Sequence, residues 1–337
     1  MNIKHFNLLT FSLVSLFFVI IGCKGNNIKE KEYTKMITVT NPKNQNIELG
    51  KVTWLRNYKE ALNQSSLTKK PVLLFFQEIP GCSTCVNYGR DVLSHPLMVE
   101  FIENEFVPLA IYNNKPGADA DILKLYNEPS WNNPVAHFVD ENGQDITPKL
   151  ANNYSPLGMY NKLIETLTVL GKPIPKYAEL LGDDLKMEYR QYKYTIYETP
   201  CFWSGETSLA LNPAVKYTEA GWINGLEVVK VFYNEAETTL KALNSYAANE
   251  GFYLIDHHQD YKIDKRPQYY LSKTPFKYLP LSKAQRAKIN LAIPYHRMPE
   301  SFLSPKQLSV YYDASKGVGI VGKNKKYIED IETSWEL

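Results

Sequence analysis

The chain has little cysteine: four residues in 337, and one of them lies in the N-terminal leader. Three are too few to staple a scaffold of this size, so the core must carry stability and the cysteines are better explained by reactivity. No sign of charge dominates. The formal net charge is +2, with acids and bases interspersed, which gives no field for nucleic acid or an anionic partner. Internal repeats and low-complexity tracts are missing. Beyond the leader there is no apolar run long enough to span a bilayer. A second Cys or His pair at zinc-finger spacing is also lacking, which argues against a metal centre and leaves no cofactor expected.

The first feature present is the leader. Lys4 precedes an apolar run from Leu8 to Ile21, ended by Ile20-Ile21-Gly22-Cys23. This reads as an export signal, and a small residue before cysteine resembles the bacterial lipobox, making Cys23 the lipidated first residue of the mature chain. The polar stretch after it suits a tether. The expected organisation is a signal over 1–23, a tether over 24–48, a first domain over 49–172 and a second over 173–337. The expected location is the bacterial cell envelope, lipid-anchored to a membrane on the periplasmic side or at the outer membrane.

Along the first domain, Val72 to Phe76 is a continuous apolar run, hence a buried strand. The turn Gln77-Glu78-Ile79-Pro80-Gly81 delivers Cys82 to the first residue of a helix carrying Val86, Val92 and Leu93. Helix around 98–102, strand 106–112, helix 118–126, strand 135–139, a turn at Asp140-Glu141-Asn142-Gly143 and helix 156–170 follow. In the second domain the expectations are a short helix over 177–181, a strand over 189–198, a loop over 220–225 and a strand over 226–233. A helix over 235–250 follows, then a further strand over 251–256, and last a helix over 282–292 with Lys and Arg on its outer face. His137 is expected to be structural. His257 and His258, adjacent on an extended chain, point to opposite sides and make no metal site.

The chemistry lies in a pair and a singleton. In Cys82-Ser83-Thr84-Cys85, a helix N-terminus offers unpaired N–H groups and a favourable dipole to the first sulfur, and both promote thiolate. The second cysteine, one turn on, is within disulfide reach. Strand, turn, Cys-x-x-Cys, helix and a later Pro134 together resemble the thioredoxin family over roughly residues 50–172. The resemblance implies an α/β thioredoxin fold with Pro134 as a cis-proline facing the dithiol. The string Ile79-Pro80-Gly81-Cys82-Ser83-Thr84-Cys85 is similar to thioredoxin-like (seleno)proteins marked by Val-Pro-Gly, selenocysteine or cysteine, two residues and threonine. Cys82 then stands at the selenocysteine position, and Cys85 replaces the threonine as resolving thiol. Gly81 replaces the tryptophan usual before the first thioredoxin cysteine.

Cys201 lies in Thr199-Pro200-Cys201-Phe202-Trp203-Ser204-Gly205-Glu206. Two aromatics beside a nucleophile suit a substrate with a methyl group on the attacked atom, with an acid needed for the departing oxygen. Cys201-Phe202-Trp203 with Glu206, followed by Gly221-Trp222 and Glu227-Val228-Val229, resembles the A-type peptide methionine sulfoxide reductases over about residues 185–310. The resemblance implies an α+β domain with Cys201 as nucleophile, Glu227 as proton donor, and Phe202 and Trp203 as methyl pocket. Trp222 stands where that family has a tyrosine, Thr199-Pro200 replaces its glycines, and Tyr269 or Tyr270 offers a hydroxyl. No cysteine follows Cys201, so its oxidised form needs an outside thiol, and Cys82 with Cys85 is the candidate. The expected activity is an envelope thiol-disulfide oxidoreductase coupled to reduction of peptide methionine-S-sulfoxide, with an envelope thiol as electron donor. The alternative is a general thioredoxin-like oxidoreductase with an inactive C-terminal docking domain.

Overall fold

The computed structural model describes residues 39–256, 259–316 and 325–335. The signal expected over 1–23 with Cys23, most of the tether expected over 24–48, and the His257-His258 pair lie outside the described residues. Everything described belongs to one compact unit, Thr38–Leu337.

The N-terminal half places helix α1 (Tyr58–Thr68) before strand β1 (Val72–Gln77), then α2 (Ser83–Asp91), α3 (Pro96–Glu105), β2 (Val107–Tyr112), α4 (Ala118–Leu125), β3 (Val135–Val139), β4 (Asp145–Leu150) and α5 (Pro156–Val169). The four strands form one sheet in the order β2-β1-β3-β4. β1 pairs parallel with β2 and antiparallel with β3, and β3 turns back antiparallel onto β4.

All six residues of β1 are buried because helices cover both faces of the sheet. Side chains alternate along a strand. Leu73 and Phe75 therefore join the cluster made by Tyr88, Leu97, Phe101 and Leu163, while Val72, Leu74 and Phe76 join Ala61, Leu109 and Leu123 on the other side. Trp54 and Tyr88 sandwich Phe75, with ring centroids at 5.3 and 5.6 Å. His137 is structural: its ring nitrogens contact Asp145 at 2.9 Å and Glu128 at 3.0 Å.

The tether expected over 24–48 is part of the fold at its end. Val39 bridges to Leu55, and Ile47–Leu49 forms a 3-10 turn with Glu48 and Leu49 buried against α2. Helix α6 (Lys176–Glu188), expected as a short helix over 177–181, runs 13 residues because Tyr177, Ala178, Leu181 and Leu185 dock into the first half's core. The expected boundary at 172/173 falls in the connection before it.

The C-terminal half contains β5 (Lys193–Glu198), α7 (Phe202–Ala210), β6 (Val215–Ile223), β7 (Leu226–Tyr233), α8 (Leu240–Asn249), β8 (Tyr253–Leu254), β9 (Lys262–Ile263), the short α9 (Tyr269–Ser272), α10 (Lys283–Ala292) and α11 (Pro305–Ser315). Its sheet, in the order β8-β5-β7-β6-β9, is antiparallel throughout. Tyr197, Val229 and Val231 face Phe202, Leu209, Leu243 and Ala247, and Val228 with Ile196 and Ile223 packs on the reverse face.

Three sequence expectations are corrected here. Residues 220–223 are strand, and only Asn224 and Gly225, both at positive φ (51° and 85°), make the turn of a two-residue hairpin. The helix expected from 235 begins at Leu240, where Thr239 caps it by accepting from Ala242 N–H. The outer face expected for α10 is not fully outer: Arg286 is 9% exposed and donates to the Tyr327 carbonyl at 2.9 Å.

Phe75→Ala is expected to lower the unfolding free energy by about 3–5 kcal/mol, since it empties a fully buried aromatic site between two stacked rings. Urea denaturation measures it, and a loss under about 1 kcal/mol would contradict this packing account.

Candidate active site

The dithiol is built by the β1–α2 junction. Cys82 is the N-cap of α2, one position earlier than expected, and its carbonyl receives Val86 N–H at 3.0 Å. Its sulfur is exposed and lies 3.4 Å from that of Cys85, which is fully buried; both are free thiols. The two sulfurs are tuned apart. The Cys85 backbone N–H holds the Cys82 thiol below its ordinary value, against a smaller opposing effect of burial, and the Cys85 side chain and Thr84 add to the lowering. Burial pushes Cys85 up to about 12, and the neighbouring Cys82 charge adds to it. An exposed thiol held low in front of a buried thiol held high is the arrangement of an attacking and a resolving cysteine.

The turn explains Gly81. A Cβ there would meet the Glu78 carbonyl at 2.5 Å and the Cys85 Cβ at 2.6 Å, so no larger residue fits without moving the pair. The Gly81 N–H donates to Glu48 Oε1 at 2.7 Å, and Cys82 N–H to Glu78 Oε2 at 3.3 Å. The Asn133–Pro134 peptide is cis, as is Ile79–Pro80. Asn133 Oδ1 accepts from the Cys85 thiol at 2.8 Å, which puts the segment before Pro134 against the dithiol. Sequence reasoning found Cys82, Cys85 and Pro134 but not Glu48 or Asn133. Neither sits in a spacing pattern with the cysteines.

The second centre repeats the junction. Cys201 caps α7 after β5 and is partly exposed. Phe202 N–H, the first free donor of the helix, donates to Glu227 Oε2 at 2.8 Å, which brings the carboxylate beside the cysteine. Glu227 is held from β7, where it pairs across the hairpin with Trp222. Phe202 is 3% exposed and belongs to the core, with Trp203 at 5.6 Å and Trp222 at 5.1 Å between ring centroids. Trp203 stacks on Tyr269 at 4.1 Å, and Tyr270 is raised by burial and next by the Cys201 charge, which places its hydroxyl near that sulfur.

Two residues of this centre escaped the sequence reading. Asp264 accepts from the Trp222 indole N–H at 3.2 Å, so that tryptophan is already engaged. Gln268 is fully buried, and its backbone N–H and side chain both donate to Glu206. Glu206 also receives Ala220 N–H at 3.0 Å; burial pushes it up to about 8 against these bonds. This carboxylate ties α7, β6 and the approach to α9, the helix that carries Tyr269 and Tyr270. Among the described residues, no hydrogen bond or ring contact joins the two cysteine centres.

The family model described as thioredoxin-like matches residues 53–141, the region that carries the dithiol. That region is a thioredoxin-like fold, followed by an additional α/β region. A solved structure described as "DsbH Oxidoreductase" is 17% identical, with a TM-score of 0.31 over 42% of this chain and 98% of its own. No curated protein matches the chain. Among the described residues no helix is long and apolar enough to cross a membrane.

In the reduced chain at pH 7, iodoacetamide is expected to label Cys82 at least on the order of 100-fold faster than Cys85, from the opposed directions of their thiols. Peptide mass spectrometry reads the two rates, and equal labelling would refute the assignment of attacker and resolver.

Proposed function

We propose that the chain is a thiol-disulfide oxidoreductase whose Cys82/Cys85 dithiol supplies electrons to Cys201, where peptide methionine sulfoxide is reduced. The observation that carries the first part is the exposed, lowered Cys82 placed 3.4 Å from the buried, raised Cys85. The second part is supported by Cys201 at a helix N-terminus with the Glu227 carboxylate drawn to the next N–H, and by Trp203 stacked on Tyr269.

The cycle balances as follows. The Cys201 thiolate attacks the sulfoxide sulfur, Glu227 delivers a proton to its oxygen, and the thioether leaves Cys201 as a sulfenic acid. The Cys82 thiol then displaces the hydroxyl as water, forming a mixed disulfide with Cys201. Cys85 attacks the Cys82 sulfur, closes the Cys82–Cys85 disulfide and frees Cys201 as thiolate. One dithiol and one sulfoxide become one disulfide, one thioether and one water. An envelope thiol donor reduces the disulfide for the next turnover, and a lipid on Cys23 would hold the chain at the membrane.

A second reading retains only the dithiol activity, with the C-terminal half as a docking surface. It is favoured by the burial of Phe202 and by the engagement of Trp222 with Asp264, which leave less of the aromatic wall open.

With dithiothreitol as reductant, the wild-type chain is expected to reduce a methionine-S-sulfoxide peptide, Cys201→Ser to be inactive, and Cys82→Ser to retain turnover. Glu227→Gln should lose on the order of 100-fold in rate, the usual weight of a general acid. Insulin disulfide reduction, run in parallel, should vanish in Cys82→Ser and survive in Cys201→Ser. Absence of sulfoxide turnover by the wild type alongside intact insulin reduction would sink the coupled reading and leave the second one.

A further inference from the structure

The lack of a second Cys or His pair argues against metal when the chain is read as a string. The fold supplies a different third donor. Glu78, in the turn before the dithiol, brings a carboxylate oxygen within 4.8 Å of both the Cys82 and the Cys85 sulfur, and the three atoms lie mutually within that limit. Glu78 is held there by Cys82 N–H, which donates to its Oε2 at 3.3 Å.

Two thiolate sulfurs and a carboxylate oxygen are borderline-soft and hard donors in the mixture zinc accepts. Their spacing suits it. Ligands about 2.3 Å from a tetrahedral zinc stand about 3.8 Å apart, and the sulfurs here are 3.4 Å apart, so small side-chain rotations centre an ion. Cys82 is exposed, which gives the metal a path in and leaves a fourth position for water. Cys85 is fully buried and fixes one ligand on the rigid helix. The Cys85 thiol, now donating to Asn133 Oδ1, exchanges that bond for the metal bond.

We infer that the reduced dithiol and Glu78 form a three-ligand zinc site, and that zinc there caps the pair and withholds it from thiol-disulfide exchange. Binding releases the thiol protons and transfers no electrons. The disulfide form offers no thiolate and takes no metal, so occupancy reports the reduced state. The inference needs only the reduced pair and stands apart from sulfoxide chemistry at Cys201.

The test is a titration of the fully reduced full-length chain with zinc against a chromophoric chelator, without oxygen. One zinc per chain is expected for the wild type and for Cys201→Ser, and none for the Cys82–Cys85 disulfide form. Glu78→Gln should weaken binding at least tenfold. Its amide oxygen still accepts from Cys82 N–H, so the turn persists, and an unchanged rate of Cys82 alkylation in metal-free Glu78→Gln verifies that. With cobalt in place of zinc, a thiolate charge-transfer band should appear in the wild type and be lost in Cys82→Ser. Equal zinc affinity in wild type and Glu78→Gln, or one zinc retained by Cys82→Ser, overturns the site. Zinc that binds without slowing Cys82 alkylation overturns the capping.

Discussion

Both reactive sulfurs depend on one constraint: a strand that runs into a helix must leave the first backbone N–H groups of that helix without partners. β1 delivers Cys82 to the N-cap of α2, and β5 delivers Cys201 to the N-cap of α7. The same geometry is used differently. At Cys82 the free amides face the sulfur, and the Cys85 N–H is the largest influence holding its thiol low. At Cys201 the first amide is claimed by the Glu227 carboxylate, which accepts from Phe202 N–H at 2.8 Å. One junction turns its amides on the cysteine sulfur, the other turns its first amide on a carboxylate from a neighbouring strand.

The cores behind the junctions hold this geometry in place. Alternate residues of β1 enter two separate apolar clusters, so the strand that presents Cys82 is clamped from both faces. At the second junction a polar device does comparable work. Glu206 sits fully buried and receives N–H groups from Ala220 and Gln268, binding helix, strand and the approach to Tyr269 into one network. A buried carboxyl is tolerated only where such bonds offset its desolvation, and burial still raises it to about 8. Helix α6 fills the first core through Tyr177, Leu181 and Leu185, and it also packs on α10 of the second half. The halves therefore share an element although each has its own sheet.

The sequence carried what is local. The apolar run before Cys82, the pair spacing, Pro134 and the hairpin after β3 were all readable because strand burial, helix caps and turns act over a few residues. The contacts made at long range were hidden. Glu48 reaches Gly81 across 33 residues, Asn133 reaches Cys85 across 48, and Asp264 reaches Trp222 across 42. Residues 220–223 read as loop in the sequence and form strand in the fold. Gly221 is what lets Tyr261 lie against the sheet, since a Cβ there would meet its ring at 2.5 Å. Arg286 carries a charge and yet is 9% exposed, one guanidinium N–H donating to the Tyr327 carbonyl within the fold.

Accessibility separates the three described cysteines. Cys82 and Cys201, the sulfurs that the proposed coupling joins, are exposed and partly exposed, whereas Cys85 is buried. A mixed disulfide forms only where both sulfurs can be approached in line, and it is resolved only by a thiol already held near the first. Cys85 meets the second condition at 3.4 Å and, being buried, cannot be captured by an outside partner. Cys201 has no such neighbour downstream in its own half. Under the proposed coupling a sulfenic acid formed there is met by a sulfur that comes to it, and Cys82 is the exposed sulfur whose thiol the Cys85 N–H holds below its ordinary value.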